Sequence, residues 1–207
     1  MADAVAQRAR ARRGEASPWT TPLRELGAVD RAAYEAVAHT PTPELDTPIR
    51  RLSNTANYSR LWLGIAAAIA LLGGRRGRRA ALEGVVSIGV TSASVNALAK
   101  SIAARPRPER AEADPFPSRE VEMPASSSFP SGHAASGFAF AYAVGRHLPA
   151  LAVPLRLLAG AVAYSRVHIG VHYPGDVAVG SMVGSGIAAM VASAGDRLEA
   201  RHRSSIA

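Results

Sequence analysis

Beyond residue 57 the chain is dominated by apolar stretches, running approximately Tyr58–Gly74, Ala80–Ala99, His133–Leu148, Leu151–Tyr164 and Val177–Ala194. Each has the length of a helix, although several fall short of the roughly 20 residues of an ordinary membrane-crossing segment. A single one would suit a buried helix of a soluble protein. Five in succession, joined by polar turns such as the Gly73–Arg79 run, predict a compact membrane bundle. The stretches are rich in Ala, Gly and Ser, which lets backbones approach where lipid gives no hydrophobic drive for association. Gly180 and Gly184 form a small-xxx-small pair, suited to packing within the bundle or to a homodimer contact.

The preceding segment has a different pattern. Residues 1–22 form a polar, Arg-rich tail, expected to be disordered or to lie on a membrane surface. Leu23–His39 predicts an amphipathic helix, with Leu26, Val29, Ala33 and Val37 at helical spacing. It is too polar to span, and its place before an apolar element makes it an interfacial anchor. Thr40–Asp46 breaks it, and a second polar helix is expected from near Asp46. The predicted fold is therefore all-α: an integral membrane bundle of five to six helices with an amphipathic N-terminal helix, residues 23–207 forming one domain.

Composition adjusts this picture only in part. Lys and Arg number 24 against 16 Asp and Glu, for a net charge of +8. Such a balance serves nucleic acid, an anionic membrane or a phosphorylated substrate. Here the basic clusters flank the apolar stretches, as they do around membrane spans. Aromatic content of 5% leaves few stacking platforms, so no nucleic-acid partner is expected. Mean hydropathy is only +0.05 because the N-terminal region and the 101–129 loop dilute it. The absence of cysteine excludes disulfides and thiolate chemistry. Arg75–Arg79 and the C-terminal arginines place the end opposite the polar motifs in the cytoplasm, whereas Arg50, Arg51, Arg60 and the Arg-rich tail argue the reverse for five spans. A sixth span would reconcile them.

Three polar segments carry unusual chemistry: Lys100–Pro108, Pro130–His133 and Ser165–Asp176. If the spans alternate across a bilayer, all three fall on one face, bringing Lys100, Arg107, His133, Arg166, His172 and Asp176 within reach of one another. Ionisable groups at membrane helix ends are costly unless paired or functional. The cations Lys100, Arg107 and Arg166 suit a phosphate dianion and the charge that develops as it is transferred. Ser131 reads as an N-cap, and Gly132 permits close approach to the free N–H groups of a helix start. His133 stands beside that cradle. Asp176, four residues after His172, is placed to hold one imidazole nitrogen and leave the other as nucleophile. Arg105 reads as an interfacial anchor, and His39, His147, His168 and His202 as structural or surface residues.

The ordered trio of motifs, K-x6-R-P from Lys100 to Pro108, P-S-G-H from Pro130 to His133 and S-R-x5-H-x3-D from Ser165 to Asp176, resembles the type 2 phosphatidate phosphatase superfamily. That superfamily also holds bacterial acid phosphatases and vanadium haloperoxidases. The resemblance implies a metal-independent, cofactor-free membrane phosphatase acting through a phosphohistidine. It assigns His172 as nucleophile, Asp176 as its orienting partner, and His133 as the acid that protonates the leaving alkoxide and then activates water. Lys100, Arg107, Arg166, Ser131 and the Gly132 amide would hold the phosphate oxygens, and the Pro-rich loop 108–129 would cover or border the site. Membrane members commonly have six spans, one more than the apolar stretches here.

The implied substrate is a membrane lipid phosphate: phosphatidate, phosphatidylglycerophosphate, a polyprenyl diphosphate or a polyprenyl-phosphate sugar phosphate. The short, Arg-rich form also resembles actinobacterial members, one group of which dephosphorylates decaprenylphosphoryl-phosphoribose in cell-wall synthesis. The expected location is the cell membrane, as a multi-pass protein. A non-catalytic lipid-phosphate-binding protein of the same fold is the alternative, and a vanadate-dependent oxidase is disfavoured by the apolar spans.

Overall fold

Small residues decide which helix lies at the centre. The computed structural model describes residues 20–101, 105–109 and 116–205, without the side chains of 20–23 and 98–101. The expected tail over residues 1–19 lies outside the described residues. The described residues form α1 (Thr20–Ala38), α2 (Pro43–Thr55), α3 (Arg60–Leu72), α4 (Gly74–Ser101), α5 (Gly132–His147), α6 (Pro149–His168) and α7 (Pro174–Ser204), with 3-10 turns at Asn57–Ser59 and Pro117–Arg119. Helix α5, built largely of Ala and Gly, packs against α4, α6 and α7 and is buried along most of its length. The core around it joins Trp62, Phe140, Val144, Leu155 and Val162, with the Trp62 and Phe140 rings 5.5 Å apart.

Large hydrophobic side chains also lie on the outward surface. Leu71, Leu72, Leu82, Leu157, Met182 and Met190 are all exposed. Small residues inside and large aliphatic ones outside invert the pattern of a water-soluble protein and suit a lipid surround. Helices α6 and α7 are long and apolar enough to cross a membrane, and Asn57–Leu72 is a shorter apolar helix. The amphipathic α1 follows the same rule: Leu26 and Val29 are exposed, while Tyr34 faces the protein.

Three boundaries differ from expectation. The Gly73–Arg79 run is mostly helix, because the turn needs only two glycines. Gly73 donates to the Ile69 carbonyl, Gly74 takes a left-handed φ of +59, and the arginines then sit in the first turns of α4, where their helix propensity is good. Helix α2 starts at Pro43, ahead of Asp46, with Pro at its first turn and Glu44 and Asp46 favouring its N-terminus. Helix α7 runs past Ala194 to Ser204 through an Arg-, Leu- and Glu-containing segment that remains exposed.

A buried polar knot ties the N-terminal helices to the bundle. Asp46 is fully buried and accepts from Thr42 Oγ1 (2.8 Å), Ser118 Oγ (2.8 Å) and Arg119 Nε (2.9 Å), with His168 Nε2 at 2.9 Å. Arg119 also donates to the carbonyls of Val37, Ala38 and Thr40. Burial alone would raise the Asp46 pKa, but its hydrogen bonds outweigh that and hold it at about 2. With the folded value below the ordinary carboxylate value, this stabilisation is complete above the ordinary value and is lost as pH falls towards 2. The loss is expected to reach about 2 kcal/mol. Asp46→Asn should be less stable by about 3 kcal/mol at neutral pH, since Arg119 stays buried without its counter-charge. It should also show a shallower decline in acid. Denaturant unfolding in detergent across pH checks both, and an unchanged acid slope in the variant would sink the assignment.

Candidate active site

The starts of α5 and α7 and the end of α6 meet at one end of the bundle. Two glycines set the distance between α5 and α7. A Cβ at Gly180 would meet the Ser131 carbonyl at 2.5 Å, and one at Gly184 would overlap the Ala135 carbonyl. The small-xxx-small pair is thus used within the chain. The contact is reinforced where Ser131 N–H donates to the Asp176 carbonyl at 3.0 Å. Ser131 caps α5, its Oγ accepting a long 3.5 Å bond from Ala134 N–H. A Cβ at Gly132 would meet no atom within 4 Å, so this helix start faces open space. One residue on, His133 Nε2 lies 2.9 Å from Asn57 Oδ1. The Asn57 side chain thus anchors the His133 ring.

The five-residue spacing between Arg166 and His172 closes a tight loop. The Arg166 carbonyl accepts from both Val171 N–H (3.1 Å) and His172 N–H (3.2 Å), and Gly170 takes a φ of +70 to allow the reversal. The buried Arg166 guanidinium donates to Ser53 Oγ at 2.6 Å. Arg107 comes from the segment before the second motif. It donates to the carbonyls of Val171 (2.7 Å), Ser126 (3.0 Å) and Ser127 (3.2 Å), and its Nη1 lies 3.5 Å from His172 Nε2. The loop preceding α5 therefore borders the site through Ser126 and Ser127.

His172 is buried, with Nδ1 3.5 Å from Asp176 Oδ2, longer than a formed hydrogen bond. Asp176 is itself fully buried. Its Oδ2 accepts from Tyr173 N–H (2.9 Å) and its Oδ1 from Arg105 Nη1 (2.7 Å). Burial pushes the His172 pKa down; Asp176 pulls it up, and the Arg107 and Arg166 charges add to the depression. The net direction keeps the imidazole neutral at neutral pH, as a nucleophile requires. Lys100 sits in the last turn of α4, and its side chain lies outside the described residues. A neutral imidazole, two guanidinium groups, an open helix N-terminus and a second imidazole can bind a phosphate dianion and support its transfer.

Residues 80–199, more than half of the chain, match the PAP2 superfamily. The chain belongs to the PAP2 superfamily. It is 35% identical over 163 residues to the decaprenylphosphoryl-5-phosphoribose phosphatase of Mycobacterium tuberculosis, a match covering 78% of this chain and 87% of that protein. The protein of the same name from Mycolicibacterium smegmatis is 34% identical over 142 residues, covering 67% and 72%. Two solved structures share the fold. A transmembrane PAP2-type phosphatidylglycerolphosphate phosphatase from Bacillus subtilis gives a TM-score of 0.62 at 24% identity, over 84% of this chain and 87% of that one. Aquifex aeolicus LpxE gives 0.63 at 20% identity, over 80% and 95%.

Residues other than the signature positions of the motifs also reach the site. Arg105, expected as an interfacial anchor, instead bridges two carboxylates, Asp176 at 2.7 Å and Asp30 at 2.6 Å. Asn57 reaches His133 from a turn in which Tyr58 and Ser59 both take positive φ (54 and 58). Left-handed conformations at two consecutive non-glycine residues are strained, and such strain is often kept where it aims a functional side chain. That pairing of conformation with position is invisible in the sequence. The remaining histidines stand apart: His168 in the Asp46 knot, His147 against Glu83 at 2.8 Å, and His39 and His202 exposed.

Proposed function

We propose that this chain is a multi-pass phosphatase of the cell membrane that hydrolyses the phosphomonoester of a lipid phosphate through a phosphohistidine. Its preferred substrate is a polyprenyl-phosphate sugar phosphate of the decaprenylphosphoryl-5-phosphoribose kind. One observation carries the chemistry: neutral, buried His172 directs Nε2 towards Arg107 at the bundle end that also holds Arg166 and His133. In the first step Nε2 of His172 attacks phosphorus, the bond from phosphorus to the sugar oxygen breaks, and His133, protonated to the imidazolium beside the bound phosphate dianion, gives a proton to that oxygen and becomes neutral. In the second, His133 takes a proton from water as the water oxygen attacks phosphorus. The N–P bond breaks, inorganic phosphate leaves and both imidazoles return to their starting states. Arg107, Arg166, Lys100 and the start of α5 hold the three phosphate oxygens as their charge redistributes.

The substrate choice rests on the 35% identity to the mycobacterial enzyme and on a second feature. A cavity of about 620 Å³ lies on the α1 side of Arg107, with Arg31, Glu35, His39 and Tyr173 in its wall. That lining offers donors and acceptors suited to a sugar with its attached phosphodiester. The test is phosphate release by the purified protein in detergent with excess EDTA. The panel is phosphatidate, phosphatidylglycerophosphate, a polyprenyl diphosphate and a polyprenyl-phosphate ribose phosphate. The last should give the highest kcat/KM. Equal rates on all would refute the substrate choice, and release from none would refute the activity.

A further inference from the structure

Asp30 lies on the amphipathic α1, far in sequence from every catalytic motif, yet it contacts two of them. Its Oδ2 accepts from Arg105 Nη2 at 2.6 Å, within the first motif, and its Oδ1 from Gly175 N–H at 2.7 Å, beside Asp176. The other arm of the Arg105 fork, Nη1, reaches Asp176 Oδ1 at 2.7 Å. We propose that Asp30 and Arg105 form a brace that positions Asp176 and, through it, His172, making α1 part of the catalytic apparatus as well as a surface helix. The inference rests on the phosphohistidine reading above.

A carboxylate turns readily about its terminal bond, so an orienting Asp must itself be oriented. Here both oxygens of Asp176 are pinned, Oδ1 by Arg105 and Oδ2 by Tyr173 N–H, which leaves Oδ2 facing His172 Nδ1. Arg105 is planar and offers its two Nη groups in a fixed fork, so one carboxylate on each arm fixes the plane. The Tyr173 ring supports that plane, with the guanidinium 4.2 Å from its centroid, and Tyr34 of α1 packs edge-on against Tyr173 at 5.5 Å. Gly175 N–H is one of the donors that a helix start leaves without an intrahelical acceptor, and Asp30 supplies the acceptor from another helix. A Cβ at position 175 would stand 2.9 Å from Asp30 Oδ2, so a larger residue there would require the carboxylate to shift. The side chains are 28% exposed for Arg105, 13% for Asp30 and 0% for Asp176, so the brace runs from the surface into the site.

A contact that only docks α1 would affect stability alone, whereas a brace must affect the chemical step. The experiment measures kcat, KM, thermal midpoint and the pH–rate profile of the full-length protein in detergent. The variants are Asp30→Asn, Arg105→Lys and Arg105→Gln, with Arg146→Gln, at the opposite end of the bundle, as a control. Asp30→Asn and Arg105→Lys should lower kcat about tenfold, and Arg105→Gln about a hundredfold, with KM changed by less than about twofold.

The pH profile adds a signature that loosened packing would not produce. His172 is faced by Asp176 on α7, Arg107 from the segment before the second motif, Arg166 on α6 and His133 on α5. Removing the Asp30 charge leaves Arg105 less compensated, so His172 protonates less readily and the acid limb moves to lower pH. Removing the Arg105 charge moves it to higher pH. Opposite shifts in Asp30→Asn and Arg105→Gln support the brace. Lower thermal midpoints with kcat and the acid limb unchanged would overturn it; if Arg105→Gln fails to fold, the kcat of Arg105→Lys and Asp30→Asn decides. Failure of the underlying reading shows separately, as full activity in His172→Ala, and takes the brace with it.

Discussion

His172→Ala is expected to lower phosphate release by about 10⁴-fold or more while leaving the protein folded. The loss follows from the role: no other described side chain is placed to attack phosphorus with Asp176 behind it. The tolerance follows from the geometry. Among the described residues the imidazole makes no polar side-chain contact shorter than its 3.5 Å approaches to Asp176 and Arg107. The loop that carries it is held by its own backbone, through the bonds of Val171 and His172 N–H to the Arg166 carbonyl, and alanine keeps both. The variant should therefore unfold within a few degrees of the wild type, and denaturation in alkaline detergent during turnover should trap labelled phosphate only on the wild-type chain. Activity in the wild type should persist as pH falls through 6.5, the ordinary imidazole value, because the folded pKa lies below it. Turnover by His172→Ala comparable to the wild type would end the mechanism.

The second large effect belongs to His133. Its alanine variant should lose about 10²- to 10⁴-fold on an alkyl phosphate, whose leaving alkoxide needs a proton in the transition state. On an aryl phosphate with an acidic leaving group the first step no longer depends on that proton, and the loss should shrink to the share owed to water activation. Asn57 belongs to the same unit: its side chain, 2.9 Å from His133 Nε2, holds that ring in place, so Asn57→Leu should show the same leaving-group pattern with a smaller loss. Comparing kcat/KM for alkyl and aryl substrates separates this role from simple damage to the pocket. Equal losses on both would mean that His133 shapes the site without donating a proton.

Much of this was legible in the chain because it is written locally. The 3.6-residue period and the apolar runs place α1 and the five bundle helices, and counting spans puts three polar segments on one face. In the structure Arg107, His133, Arg166, His172 and Asp176 do lie together. The boundaries that moved did so for local reasons that the run of apolar residues does not report, such as the reversal at Gly73 and Gly74. What sequence spacing cannot carry is pairing between distant segments. Asp30 looks like any polar residue on an amphipathic helix until Arg105, 75 positions away, takes its charge. Arg105 reads as an anchor in the sequence because a lone cation after a span has an adequate explanation in the interface, whereas its two carboxylate partners come from distant segments. Asp46 and Arg119, 73 positions apart, are a second such pair, each unremarkable alone.

The glycines at 180 and 184 act as a gauge block between the two helices that present His133 and Asp176. A side chain at either place would force α5 and α7 apart, so the spacing of the proposed acid and nucleophile is not adjustable by small drifts in sequence. The site is consequently a fixed aperture, and the lipid must bring its phosphate to it. Variation among substrates is then met by the flexible ends of the ligand and by the walls around α1, while the machinery between the histidines stays one size.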